Sequence, residues 1–440
     1  MNLVKTRRLH LTVYLDQPLT GVVSAFIEKA AAAFGLEPAE TMKLTLAGEE
    51  IFSFLCGLAR PDETLEIGCL GRGYQVELDF LLGRRRFNMK SFNLTARVSL
   101  ESEAEWEEIG LLLASRLTDG LKLIEDENKG FKLSLIKEKT YPEASPTELP
   151  PWDPDQGHKL QAAGPETIKY FLSLLSSQPS PAGYPPFFRF PGRAADMAAQ
   201  GELKALLALD QRKNLGGGIV WRGLGFRTIE FFGPYVFYPE SRPGLAEELV
   251  QGLLGQVARS EAVGLINRYA TPALPAGYFE SLGQISRFEG QSPYSRPAFY
   301  RLLREDLGCA VWAAPELESF LKREYSRLVL PRDIRLLADL GEQVPDESAL
   351  STEFHRESGE AILRPLQPGR DSYRNLTGHV HLLRQEGLNN IFFEMDLSQA
   401  WPVGFTAGLI AAGFSPRIVI PYGGESDLVV FQHLPEARPA

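Results

Sequence analysis

The chain has 440 residues, with 46 Lys and Arg against 56 Asp and Glu, giving a formal net charge of −10. That balance argues against a general nucleic-acid or anionic-membrane binder, and 44% hydrophobic with 23% charged residues argues against widespread disorder. Three cysteines without paired spacing exclude a disulfide framework and a cysteine zinc knuckle, and no run reaches the roughly 18 apolar residues of a membrane span. The expectation is a cytoplasmic α/β (α+β) protein of several domains.

In chain order, Arg8 to Leu15 alternates like a strand, and Leu19 to Phe34 reads as a helix that stops at Gly35. A second helix, from about Pro38 to Leu58, carries Leu44, Ala47, Ile51 and Leu55 on one side. Strands follow at 64–70 and 74–82, a helix near 103–117, and strands near 121–126 and 131–138. This order resembles the GHKL ATPase fold, in its anti-sigma-factor and serine-kinase branch, over about residues 5–139. The resemblance puts Glu50 at the water-activating position. Phe54 falls where an Asn would hold magnesium, Leu82 where an Asp would read adenine, and Gly110 is the one glycine kept of the phosphate loop. Phenylalanine and leucine supply neither a metal ligand nor a polar partner for a base. Residues 1–140 are therefore expected to be a degenerate ATPase fold, used to bind a regulatory protein partner or to dimerise, with no magnesium-ATP.

Residues 141–165 are proline-rich and read as a linker. Helices are expected at 166–176 and 194–209, and a strand at 219–224. Then comes the stretch that organises the rest: a strand from Ile229 to Tyr238, a turn Ser241-Arg242-Pro243-Gly244-Leu245-Ala246, and a helix whose Leu245, Leu249, Leu253 and Val257 form one stripe. A second strand is expected at 262–269, and a helix over Tyr278-Phe279-Glu280-Ser281-Leu282-Gly283. Small residues at such a turn bare the first N–H groups of the helix, which favours an anion there.

This stretch resembles the GNAT family of acyl-CoA-dependent N-acyltransferases, with Gly244 and Ala246 at the two small positions of its signature and Ser241 at the first. The resemblance implies a GNAT-like domain over 166–300. Val236, Arg242, Gly244, Leu245 and Ala246 would hold acetyl-CoA or another acyl-CoA, and Tyr278 would protonate the leaving thiolate. Glu230 and Glu240 are both candidates for a general base toward an amine or protein acceptor, and no spacing singles out either. Thr271 falls at the family's Asn position.

Residues 297–340 read as helical. Strands and a helix at 355–434 suggest a second GNAT-like half within 301–440, without a phosphate turn of its own, so one coenzyme site at most is expected. His379 and His381 would share a strand face without a third ligand, which favours structural histidines. The sequence thus points to an N-acyltransferase or coenzyme A-sensing bacterial regulator. Its rivals are a non-enzymatic signalling scaffold and, behind that, an ATP-binding serine kinase.

Overall fold

Strand β1 (Arg7–Tyr14) lies antiparallel to β2 (Thr64–Gly71), with α1 (Thr20–Ala33) and α2 (Pro38–Gly57) between them in sequence. Helix α2 opens on Pro38 and a capping box in which Glu37 and Glu40 each satisfy a bare N–H group. Its stripe of Leu44, Ala47, Ile51 and Leu55 is buried against the sheet, as its spacing dictates. Strands β3 (Gln75–Leu81), β4 (Gly120–Asp126) and β5 (Gly130–Glu138) extend that sheet in the order β1-β2-β3-β5-β4. The structure is a computed structural model describing residues 7–60, 62–82, 93–94, 114, 116–126, 130–152, 157–178, 184–225, 227–239, 244–289, 292–338, 344–355 and 358–434.

A second sheet is laid down next. It comprises β6 (His158–Ala162), α3 (Pro165–Ser176), α4 (Pro191–Ala199), β7 (Leu203–Asp210), β8 (Leu215–Leu224) and β9 (Thr228–Val236). It continues through α5 (Leu245–Val257), β10 (Gly264–Asn267), β11 (Glu280–Glu289) and β12 (Ser292–Leu302). The strand order is β11-β12-β10-β9-β8-β7-β6, and every neighbouring pair is antiparallel except β9 with β10. A parallel pair needs a crossover, and α5 supplies it.

After β13 (Cys309–Ala313), α6 (Pro315–Leu328) and β14 (Arg332–Leu336), the chain returns to the first sheet. There β15 (Ala349–His355) meets β4 through Glu353 and Gly120. Then β16 (Glu360–Gln367), α7 (Ser372–Gln385), β17 (Asn390–Asp396), α8 (Ala400–Val403), α9 (Thr406–Ala411), β18 (Phe414–Ile420) and β19 (Leu428–His433) bring the sheet to ten strands. This α/β architecture of mixed sheets therefore has a ten-stranded sheet that is discontinuous in sequence, with the 158–302 unit inserted between its two parts. Both sheets open with strand, two helices, strand, strand, and both close with a helix-linked parallel pair followed by an antiparallel pair.

Four expectations need correction. The helix expected over Tyr278 to Gly283 is absent: Glu280 starts β11, and Gly283 (φ +122°) sits at a bulge opposite Phe299 and Ala298. The Tyr-to-Leu-Gly spacing suits a helix, but Leu282 and Ile285 are both buried within the extended strand. The helical reading of 297–340 holds only for α6; at its start Arg296, Ala298 and Tyr300 are buried alternately, the period of a strand. The helix expected over 194–209 stops at Ala199 because Gly201 turns left-handed at φ +79°, and β7 follows. Finally, His379 and His381 lie on α7, where Asn375, Leu376, His379, Val380 and Leu383 form a buried helical stripe.

The two sheets are joined by side-chain amides that imitate a neighbouring strand. Asn390 Nδ2 donates to Phe288 O at 3.1 Å, and its Oδ1 accepts from Phe288 N at 2.8 Å. Gln432 makes the same pair of bonds to the backbone of Ser286. Strand β11 is thereby held against the β17–β19 end of the larger sheet.

Candidate functional site

Strands β9 and β10 pair only at Thr228–Gly264, Ile229–Leu265 and Glu230–Ile266. Beyond that point β9 keeps to β8, with an irregularity opposite Gly218–Val220 that accommodates Gly233 and Pro234. The notch between the parting strands is spanned by side chains: Asn267 Nδ2 donates to Gly233 O at 2.9 Å, and Thr271 Oγ1 donates to Pro234 O at 2.7 Å. These bonds satisfy carbonyls that a neighbouring strand would otherwise take.

Gly244 caps α5 at φ +105°, a conformation that favours glycine, and a Cβ built on it would meet nothing within 4 Å. Gly244 itself is exposed. Leu245, Leu249, Leu253 and Val257 are buried as the four-residue spacing implies, Ala246 and Val236 are half-buried, and Glu240 and Arg242 lie outside the described residues. The first turn also carries Glu247 and Glu248, which weaken the pull of the helix end on an anion. Both are engaged: His158 Nε2 lies 2.7 Å from Glu248, and Tyr278 donates its hydroxyl to Glu247 at 2.6 Å while accepting from Gln251 at 3.0 Å. Tyr278 therefore stands beside the first turn of α5, with its proton directed to a carboxylate.

Glu230 is fully buried and accepts from both sides. Arg222 Nη2 reaches Oε2 at 2.8 Å, and Arg268 Nε reaches Oε1 at 2.8 Å. Burial alone pushes the carboxyl pKa up, but Arg268 and Arg222 outweigh it and hold the group down at about 2. A carboxylate so placed is a weak proton acceptor, and its oxygens are already taken. Glu230 is the anchor of a charge cluster.

That cluster forms one wall of a cavity of about 790 Å³ between the two sheets. Arg193, Arg222, Arg268 and Arg287 face it from the inserted unit. Glu353, Glu360, Arg364, Glu394 and Asp396 face it from β15 to β17. Arg364 donates to Glu353 at 2.6 Å and to Glu394 at 2.7 Å, and Arg287 pairs with Glu360 across the gap between sheets. The guanidinium of Arg222 also lies over the rings of Phe187 and Phe232, at 5.3 and 5.5 Å from their centres. None of these arginines is visible as a motif, because each comes from a different element. The only sequence signal was an isolated charge within an otherwise apolar strand.

The second helix-linked parallel pair offers no comparable turn. Ahead of α7, Arg370 N donates to Pro345 O at 3.0 Å and Asp371 Oδ1 accepts from Ser348 N at 2.6 Å. A Cβ on Gly369 would lie 2.1 Å from Ser348 N. The chain's own residues 345–348 crowd Gly369, whereas Gly244 is exposed.

In the N-terminal unit, Phe54 is 6% exposed and Leu82 2%, and both belong to an apolar core. Glu50 is half-buried on α2, and Gly110 lies outside the described residues. His379 is wholly buried, with Nδ1 2.9 Å from Asn375 O and Nε2 accepting from Leu94 N at 3.2 Å. Those bonds require the neutral ring protonated at Nδ1, and burial lowers its pKa to about 4. Among the described residues no cluster of His, Cys, Asp and Glu suits a metal ion. Among the described residues no helix is long and apolar enough to cross a membrane.

No family model and no curated protein matches this chain. Solved structures do align with about a third of it. An N-acetyltransferase from Staphylococcus aureus matches at 15% identity, covering 34% of this chain and 99% of its own, with a TM-score of 0.27. A GNAT superfamily phosphinothricin acetyltransferase from Sinorhizobium meliloti, in complex with acetyl-CoA, matches at 18% identity over 33% of this chain and 88% of its own, with a TM-score of 0.27. A spermidine/spermine N-acetyltransferase from Vibrio cholerae matches at 14% identity over 34% of this chain and 95% of its own, again with a TM-score of 0.27.

Proposed function

We propose that this chain is an acyl-CoA-dependent N-acyltransferase, with the coenzyme at the turn before α5 and the acceptor amine in the cavity between the sheets. The observation that carries this reading is the parting of β9 and β10 after Glu230 and Ile266, with an exposed Gly244 at the start of α5 and a large cavity beside the split. A helix N-terminus with bare N–H groups suits a diphosphate, and the thioester arm would run along the Asn267 and Thr271 side chains that span the notch between the parting strands. In the reaction the amine nitrogen bonds to the thioester carbonyl carbon and the C–S bond breaks. One proton leaves nitrogen and one joins sulfur, giving an amide and a free thiol.

The roles of individual residues follow from their surroundings. Gly244, Leu245 and Ala246 present backbone to the diphosphate, with Arg242 and Val236 flanking. Tyr278 stands beside that same turn, so it serves the phosphate end of the coenzyme, with its hydroxyl fixed by Glu247. Glu230 sets the positions of Arg222 and Arg268 at the mouth of the cavity. Residues 1–140 complete the larger sheet and offer a face to a protein partner. They form a unit in which Phe54 and Leu82 take the places of the nucleotide ligands.

One observation favours a second reading, a coenzyme A sensor without transfer. Two residues expected from the sequence as candidate acid and base in the transfer, Tyr278 and Glu230, are both already bonded to partners. Calorimetric titration with acetyl-CoA tests binding, and release of free thiol in the presence of an amine panel separates transferase from sensor.

A further inference from the structure

The cavity between the sheets is basic on one wall and carries an excess of carboxylates on the other, and this asymmetry identifies the acceptor if the cavity is the acceptor site of the acyltransferase proposed above. From the inserted unit come Arg193, Arg222, Arg268 and Arg287, and among the described residues no carboxylate of that unit lines the space. Arg222 and Arg268 converge on the one carboxylate of Glu230, and the Arg222 side chain remains 33% exposed, so its guanidinium is accessible to an incoming anion. Its packing over Phe187 and Phe232 fixes the plane in which that anion would be met.

Opposite stand Glu353, Glu360, Glu394 and Asp396 together with Lys122 and Arg364, four carboxylates against two cations, with Arg364 bonded to Glu353 and Glu394. Glu394 is close enough to Arg268 to favour its charged form, which brings the acidic wall within Coulomb range of the point where β9 and β10 part. Phe187, Ile362, Trp401 and Pro402 line the same cavity. A ligand of one charge would gain at one wall and lose at the other. A ligand carrying both charges gains at each, and an apolar body suits these apolar side chains. The volume of about 790 Å³ falls within the roughly 300–1,000 Å³ of small-molecule sites.

We infer that the acceptor is a zwitterionic amine of dipeptide size with apolar side chains, its carboxylate at Arg222 and its amino group toward Glu394 at the strand split.

The test is calorimetry on the full chain with three probes: the dipeptide Leu-Phe, its C-terminal amide, which lacks the carboxylate, and its N-acetyl derivative, which lacks the ammonium. The dipeptide is expected to bind at least about tenfold more tightly than either derivative, as one well-placed charge contact provides. Arg222→Met should abolish the preference over the amide and Arg222→Lys should restore part of it, while Glu394→Gln should abolish the preference over the N-acetyl form. Circular dichroism on each variant separates loss of fold from loss of preference. Equal binding of the three probes, or binding of none, overturns the inference. Acetyl-CoA is titrated separately. Binding of acetyl-CoA with no dipeptide preference removes only the zwitterion assignment, whereas a dipeptide preference without acetyl-CoA binding removes the transferase reading and keeps the cavity assignment.

Discussion

Arg268, the residue that follows β10, donates Nε to Glu230, the last residue of β9 that pairs with β10, at 2.8 Å. The ion pair thus stands at the point where the two parallel strands separate, and Arg222 on β8 closes it from the other side. Removing the carboxylate would leave two guanidiniums facing each other at a buried site. Glu230→Gln is expected to destabilise the protein by about 3–5 kcal/mol, the usual cost of breaking a buried pair. Urea unfolding followed by tryptophan fluorescence measures this, and a loss below about 1 kcal/mol would show that the cluster is not a structural anchor.

The pH dependence of stability should fall in two windows. Glu230 has a folded pKa held at about 2 against 4.5 for the free group, so its contribution is complete above the unfolded value and is lost as pH falls from about 4.5 toward 2. His379 has a folded pKa of about 4 against 6.5, so the unfolded chain takes up its proton first and stability falls as pH drops from about 6.5 to 4. His433, also at about 4 through burial and the nearby Arg384, acts in the same direction. His379→Gln keeps an amide at that place but does not titrate. It should reduce the slope between pH 6.5 and 4 by about one proton, and an unchanged slope would refute the assignment.

Asn390 is 2% exposed and satisfies Phe288 at both N and O, together with Ser358 O. Asn390→Ala leaves these groups unpaired where β11 meets the larger sheet. A loss of about 1–3 kcal/mol is expected, with faster amide exchange along β11, because buried unpaired polar groups are costly. Uniform exchange rates in β11 of variant and parent would count against this docking role.

Much of this organisation was legible in the sequence. The stripes of α2 and α5 and the strand, turn and helix around Gly244 follow from residue spacing, because helix and strand periods are local properties. The insertion of the 158–302 unit is not local: it depends on β15 finding β4 some two hundred residues earlier in the chain, and no spacing records that contact. Tyr278 misled for a related reason. The spacing from Tyr278 to Leu282-Gly283 matches one turn of helix, yet the bulge at Gly283 and the pairing with β12 decide for a strand. The arginine cluster was invisible because Arg222, Arg268 and Arg287 are brought together only by sheet formation.

Tyr278→Phe discriminates between positions along the coenzyme. Its hydroxyl donates to Glu247 in the first turn of α5, the turn proposed for the diphosphate. The variant should weaken acetyl-CoA affinity, raising KM severalfold, with kcat changed less than about threefold. A fall in kcat of about a hundredfold or more at unchanged KM would instead make Tyr278 the acid that protonates sulfur.

The most direct measurement is calorimetric titration of the full chain with acetyl-CoA, comparing the parent, Gly244→Ala and Gly244→Trp. Gly244 has open space around it, so alanine costs only backbone strain of about 1 kcal/mol at its positive φ, while an indole covers the turn. The account predicts binding by the parent and the alanine variant and none by the tryptophan variant. At about a hundred times its dissociation constant, the ligand should also raise stability by roughly 2.7 kcal/mol. Equal binding by all three proteins would remove the coenzyme from this turn, and no binding by the parent would contradict the acyltransferase account.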